Sequence, residues 1–309
     1  MTPPKPAARP EKVSLLRYLR LFRQDILSAQ PARLYRAWMA EFRTPFFRSY
    51  LVNQPELVKT VLKDRPLDFP KSGRVSEGLR PLLGASVFLT NGAQWQRQRR
   101  IIDPAFEGGR LRDTFPAMWA AGQAAEARME TLVGQAVDIE PETSHAAADV
   151  IFRTLFSVPI EDRTASRVFE KFREHQRAQP VLNLGAVLPL PKWFPRFHSR
   201  ATKRTAAEIR ALITQMTADR MAAIEAGTAP DDLATKIMTT PDPEDGSTFT
   251  TGEMVDQVAI FFLAGHETSA SALAWAMYLV ATHSDWQDRL AEEAQAIDQC
   301  DFAVMGKLK

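Results

Sequence analysis

Apolar residues recur at helical spacing over most of the chain. From Ser14 to Gln30, Leu15, Leu16, Leu19, Phe22, Ile26 and Leu27 share one side of a helix, with Arg17, Arg20 and Arg23 between them. Phe47–Val52 reads as a short strand, and Pro55–Leu62 as a helix opened by a proline in its first turn. Helical patterns then cover roughly 92–102, 110–133, 144–157, 161–179, 199–226, 231–239, 251–282 and 284–297. Within 199–226, Ile209, Leu212, Ile213 and Met216 form one apolar stripe, and Gly227 stands where a C-cap belongs. Residues 180–195 (PVLNLGAVLPLPKWFP) break the period with four prolines and several large apolar side chains, which suits a lid or lining better than a solvated connector. The expectation is a mainly α fold with a minor β part and no internal repeat. The proline-rich residues 1–13 are expected to be disordered, and 14–309 to form one domain.

Composition narrows the classes. The 309 residues are 45% hydrophobic and 25% charged, which is ordinary for a globular chain and excludes collagen-like, low-complexity and globally disordered readings. A formal net charge of +2 argues against a nucleic-acid partner. That charge is uneven: residues 1–48 carry +7, so the remainder carries −5. An amphipathic basic helix over 14–30 could therefore rest on an anionic membrane surface; the plain alternative is a surface helix with its arginines in water. Arginine at every third position leaves no unbroken apolar core for a secretory signal. The single cysteine, Cys300, excludes an intrachain disulfide framework and fits a reducing, cytoplasmic setting.

The most informative stretch is TTGEMVDQVAIFFLAGHETSASALAWAMYLVATHSD. Thr250 and Glu253 make a capping-box pattern, and about thirty helical residues would span on the order of 45 Å. Glu267 is the one formally charged residue between Asp256 and Asp285. A membrane span is the rival, but a central acid costs roughly 2.5–3.5 kcal/mol there, and no second span offers a partner. Burial in protein along the helix is expected. Within it, Gly265 costs about 1 kcal/mol against alanine, and Thr268 can donate back to the Ala264 carbonyl. Either they open a groove that admits a bound group, or Gly265 marks a close helix crossing. An acid and an alcohol side by side, Glu267 and Thr268, favour proton handling. His266-Glu267 is not a zinc-protease motif, because Ala270 stands where the second histidine is needed.

Residues 91–106 read NGAQWQRQRRIIDPAF: a turn at Asn91-Gly92, then a helix ending before Pro104. Trp95 and Arg99, four apart, share a face and could bind a carboxylate or phosphate. Arg97 lies about 200° from Trp95 at 100° per residue and is expected in solvent. The alternative is a wholly solvated basic face with Trp95 in the core.

The two segments together, Gly-x-x-Trp-x-x-x-Arg-Arg-x-x-x-Pro-x-Phe and later Ala-Gly-x-Glu-Thr-Ser, resemble the cytochrome P450 family of heme-thiolate monooxygenases. YLVNQPELVKTVL, PKWFP and LAWAMYLVATHSDWQDRLAEE agree in order, so the resemblance covers nearly everything after about residue 30. It implies a multi-helical fold and a heme b (iron protoporphyrin IX) cofactor. Trp95 and Arg99 would hold the propionates, and Ala264 and Gly265 would border the heme face. Glu267 and Thr268 would be the proton-delivering catalytic pair, and Phe88 would line the substrate site.

The family's Glu-x-x-Arg helix and Phe-x-x-Gly-x-Arg-x-Cys-x-Gly loop are not found. The Glu-x-x-Arg matches Glu77/Arg80, Glu107/Arg110 and Glu170/Arg173 all precede the long helix, and Cys300 sits in DQCDFAVMGKLK. The chain thus reads as a domain truncated before both elements, with no axial metal ligand, and by itself is not expected to form the thiolate-ligated heme. The resemblance implies a parent enzyme that inserts one atom of O2 into an apolar substrate (fatty-acid-like, hydrocarbon or terpenoid), fed by a separate electron carrier such as a ferredoxin. The absence of an N-terminal span resembles the soluble bacterial branch. The alternative is a catalytically silent remnant that at most binds an apolar ligand or partner.

Overall fold

The computed structural model describes residues 7–25, 27–43, 48–107, 109–178, 198–297 and 301–306. In chain order the helices are α1 (Leu15–Gln24), α2 (Pro55–Lys59), α3 (Gly73–Leu83), α4 (Gly92–Ile102), α5 (Arg110–Glu130) and α6 (Ile139–Phe156). They continue with α7 (Arg163–Ala178), α8 (Arg200–Glu225), α9 (Leu233–Thr239), α10 (Thr251–Thr282), α11 (Ser284–Gln295) and α12 (Phe302–Met305). Strands β1 (Met39–Arg43) and β2 (Arg48–Val52) pair antiparallel, Met39 opposite Val52 and Arg43 opposite Arg48. The fold is mainly α with a minor β part, as the periodicity predicts. The chain divides into two compact units, residues 82–177 with 204–309, and residues 2–81 with 178–203.

The smaller unit holds α1 and the hairpin. α1 is shorter than the 14–30 pattern predicts, because the Asp25 carboxylate accepts the Leu27 N–H at 2.9 Å and turns the chain out of the helix. Arg17, Arg20 and Arg23 are exposed, Leu19 and Phe22 half-buried, and Leu16 is exposed. The segment 180–195, read as a lid, lies outside the described residues, as does Cys300.

The larger unit is built around α10. Thr250 caps it: its hydroxyl accepts the Glu253 N–H, and the Glu253 carboxylate accepts the Thr250 N–H at 2.9 Å. Gly227 ends α8 at φ +70°, where an L side chain would be strained. The core gathers on Phe262, whose ring centroid lies 4.5 Å from that of Phe152 on α6 and 6.0 Å from that of Phe172 on α7. Truncating such a buried phenylalanine costs about 3–5 kcal/mol.

Burial along the whole of α10, expected from its apolar sequence, holds only for its first half. Met254–Ile260 and Phe262 are buried, whereas Ala264, Glu267, Thr268 and Ser269 are exposed and Trp275 is 55% exposed. Sequence shows that every face is apolar, but not which faces another element covers. No described helix is long and apolar enough to cross a membrane.

Behind the exposed face, two contacts tie α10 to α6. A Cβ added at Gly265 would overlap the Ile151 side chain, so the close crossing left open by the sequence is present. One residue on, His266 is buried, 2.7 Å from Ser144 Oγ, with its ring edge-on to Phe169 at 5.5 Å. Burial, aided by the positive charge of Arg173, lowers its pKa to about 4. An unfolded histidine titrates near 6.5, so below that pH the unfolded chain takes up the proton first. The stability due to neutral His266 is complete above about pH 6.5 and is lost toward pH 4, on the order of 3 kcal/mol in all. Thermal unfolding at pH 7 and pH 4.5 should show this loss in the parent chain and a smaller one in His266→Gln. Equal losses in the two would remove His266 as their source.

Candidate active site

Helix α4 starts where Asn91 is extended and Gly92 takes φ +59°. Trp95 is half-buried and Arg99 exposed on the same face, the Arg99 Nε 2.8 Å from Asp103 Oδ1 one turn on. The expectation that Arg97 lies in solvent is overturned. Its Nη1 is 2.8 Å from the Glu253 carboxylate, its Nε donates to Ser247 Oγ at 3.1 Å, and its Nη2 donates to the Thr248 carbonyl at 2.9 Å. Arg100 does likewise, bonding Asp242 at 2.7 and 2.8 Å. Its hydrogen bond holds the Asp242 carboxyl down to about pKa 2. Angular position predicts which face an arginine occupies, but the 242–253 segment that covers this face comes from 150 residues away in sequence. Arg97 and Arg100 are therefore structural clamps, which leaves Arg99 as the outward member of the three.

The clamps join α4 to the start of α10, and further contacts follow that helix upward. Gln257 Oε1 accepts the Val87 N–H at 2.9 Å, and Phe261 meets Phe106 edge-on at 5.8 Å. Gln257, Phe261, Ala264 and Thr268 fall within an arc of about 60° at 100° per residue. This face is covered at Gln257, partly covered at Phe261, and exposed at Ala264 and Thr268. The Thr268 hydroxyl donates to the Ala264 carbonyl at 2.6 Å, the back-bond expected from sequence. Glu267 is exposed beside it. Gly265 points away from this face toward Ile151, and Phe88, 49% exposed, follows the anchored Val87.

Thus the structure sets Phe88, Trp95, Arg99, Ala264, Glu267 and Thr268 on elements of one compact unit, joined through the first three turns of α10. Asp256 and Gln257, which sequence reading passed over, hold that arrangement. Their signal was a polar pair inside the apolar run MVDQVAIFF. The donor set fits a flat ring with acidic arms: an indole N–H and a guanidinium suit carboxylates, and the small Ala264 leaves room for a ring face.

Comparison with known proteins bears directly on this arrangement. A family model described as Cytochrome P450 matches residues 35–302. Cytochrome P450 72A13 of Arabidopsis thaliana is 30% identical over 255 residues, covering 80% of this chain and 48% of that protein. Cyclooctat-9-en-7-ol 5-monooxygenase of Streptomyces melanosporofaciens is 31% identical over 316 residues, covering 96% of this chain and 65% of that one. The chain spans about half to two thirds of the length of these relatives. The crystal structure of the cytochrome P450DA heme domain matches 98% of this chain and 67% of its own at a TM-score of 0.74 and 19% identity, a likeness of fold. With the family model spanning most of its length and the helical fold in agreement, the chain belongs to the cytochrome P450 family.

Proposed function

We propose that the whole protein is a monooxygenase that inserts one atom of O2 into an apolar substrate and reduces the other to water, with electrons from a separate carrier such as a ferredoxin. Heme b is the family's cofactor and supplies the redox chemistry when bound. The observation that carries this reading is the open face at Ala264 and Thr268, with an acid beside the hydroxyl and the Trp95–Arg99 helix braced to the same long helix. In this reading Trp95 and Arg99 hold the propionates. Ala264 and, by its backbone, Gly265 border the ring. Glu267 and Thr268 hold and pass the protons that oxygen cleavage consumes. The Thr268 proton is spent on the Ala264 carbonyl at rest, so its hydroxyl must turn from that bond to donate elsewhere. Phe88 lines the substrate space. Among fatty-acid-like, hydrocarbon and terpenoid substrates, the Streptomyces relative's name, which gives a cyclic alkenol, favours a cyclic apolar molecule. The single cysteine fits a reducing cytoplasm.

Residues 14–30 supply the remaining partner reading, contact with an anionic membrane surface. It rests on the fully basic charged set of α1 and the exposed Leu16. Co-sedimentation should show retention on phosphatidylserine-containing vesicles and not on neutral ones. The combined Arg17→Glu, Arg20→Glu and Arg23→Glu variant should lose it, and binding indifferent to lipid charge would reject the contact.

Two further outcomes test the site in the heme-loaded full-length protein. Thr268→Ala should lower hydroxylated product per electron pair severalfold and raise hydrogen peroxide correspondingly; an unchanged ratio would reduce Thr268 to a packing residue. Arg99→Leu removes a charge-assisted hydrogen bond of about 1.5–3 kcal/mol, which corresponds to roughly tenfold to hundredfold faster heme loss. Lys203→Leu, which removes an exposed charge elsewhere, is the control, because Arg97→Leu would break the clamp on Glu253. Transfer of heme to apomyoglobin gives both rates, and equal rates would reject the propionate assignment.

A further inference from the structure

We propose that Asp256 and Gln257 are positioning residues that set substrate selectivity, by fixing the loop 84–90 and hence Phe88 on the first turns of α10. The inference rests on the reading above of Phe88 as a lining residue and of the Ala264–Thr268 face as the place of reaction.

The loop carries its own turn, with the Leu89 and Thr90 N–H groups donating to the Ser86 carbonyl at 2.9 and 3.1 Å. What places this turn on α10 is two adjacent side chains. Asp256 Oδ2 accepts the Ala85 N–H at 2.7 Å, and Gln257 Oε1 accepts the Val87 N–H at 2.9 Å. From the other side, Gln98 of α4 donates to the Ala85 carbonyl at 2.7 Å. Arg210 of α8 lies 2.7 Å from the Asp256 carboxylate and donates to the Leu82 carbonyl at 3.0 Å. Gly84 makes the approach possible: its φ is +52°, and an added Cβ would run into the Asp256 carboxylate.

Gln257 is fully buried, and its amide nitrogen has no hydrogen-bond partner among the described residues. An apolar side chain of the same volume would pack without that cost, so the feature that accounts for an amide here is the acceptor it offers Val87. Gln257 lies on the same face as Ala264 and Thr268, about 10 Å below Ala264 along the axis. The two hydrogen bonds to α10 thus act together with the buried side chains of Ser86, Leu89 and Thr90 to set the loop's height over that face, and with it the space left beside Phe88.

The test has two arms. In the purified 309-residue chain, hydrogen exchange of a peptide covering 82–90 should quicken about tenfold in Gln257→Met, the effect of one lost buried hydrogen bond. Gly84→Ala should do the same from the opposite partner. A peptide from α6 should keep the parent rate in every variant. In the heme-loaded full-length protein, calorimetric affinities for decanoic, dodecanoic and tetradecanoic acids serve as a probe series. Their ratios should shift in Gln257→Met in the same sense as in Phe88→Ala. Unchanged exchange in both Gln257→Met and Gly84→Ala would overturn the clamp. Faster exchange with unchanged ratios, while Phe88→Ala shifts them, would overturn the selectivity role alone. If Phe88→Ala leaves the ratios as they were, the lining role of Phe88 fails, and with it the selectivity inference.

Discussion

The crossing of α6 and α10 at Ile151 and Gly265 is the constraint on which the larger unit depends. With no side chain at residue 265, the two helices approach until Ile151 fills the gap, and that approach brings Phe262 onto Phe152 and His266 onto Ser144. Because Gly265 and His266 are consecutive and Phe262 precedes them by one turn, these contacts also fix the rotation of α10 about its axis. The face that carries Ala264 and Thr268 is therefore turned outward as a consequence of packing behind it. A hydroxyl on a buried, unanchored helix could not be presented at a set angle; here three neighbouring residues hold that angle.

Polar contacts finish what the crossing begins. The start of α10 is pinned from the front by Arg97 on Glu253 and by the 84–90 loop on Asp256 and Gln257. Apolar packing alone is tolerant of sliding by fractions of a turn, whereas hydrogen bonds to particular backbone N–H groups are not. The combination gives a helix whose lower half is a scaffold and whose next turns carry the acid–alcohol pair. It also explains the division of labour among the α4 arginines. Arg97 and Arg100 face the 242–253 segment and brace the fold, whereas Arg99 is exposed and pairs with Asp103 one turn on.

Much of this was legible in the sequence, and for local reasons. The capping box at Thr250 and Glu253, the helix start at Gly92, the end of α8 at Gly227 and the Thr268 back-bond all involve residues within four positions of one another. Local sequence contains both partners of each interaction, so each could be read directly. α3 was not anticipated, since Gly73 and Pro81 argue against a helix and tertiary packing overrides them. The first strand, Met39–Arg43, was missed for a related reason: its partner, not its own pattern, makes it a strand.

By itself the sequence determined the mainly helical class, the boundaries of α4 and α10, and the spacing that puts Trp95 with Arg99 and Ala264 with Thr268. The class and the spacing follow from the 3.6-residue period and the boundaries from local capping and turn residues, neither of which needs knowledge of distant neighbours. Only the tertiary structure decided which faces those helices show. It buried the first half of α10 and exposed the second, turned Arg97 from an expected solvent residue into a clamp, and gave Asp256 and Gln257 a loop 170 positions away to hold. Periodicity specifies angles about one helix axis. Burial and pairing depend on what lies across the gap, and that is set by the packing of segments far apart in the chain.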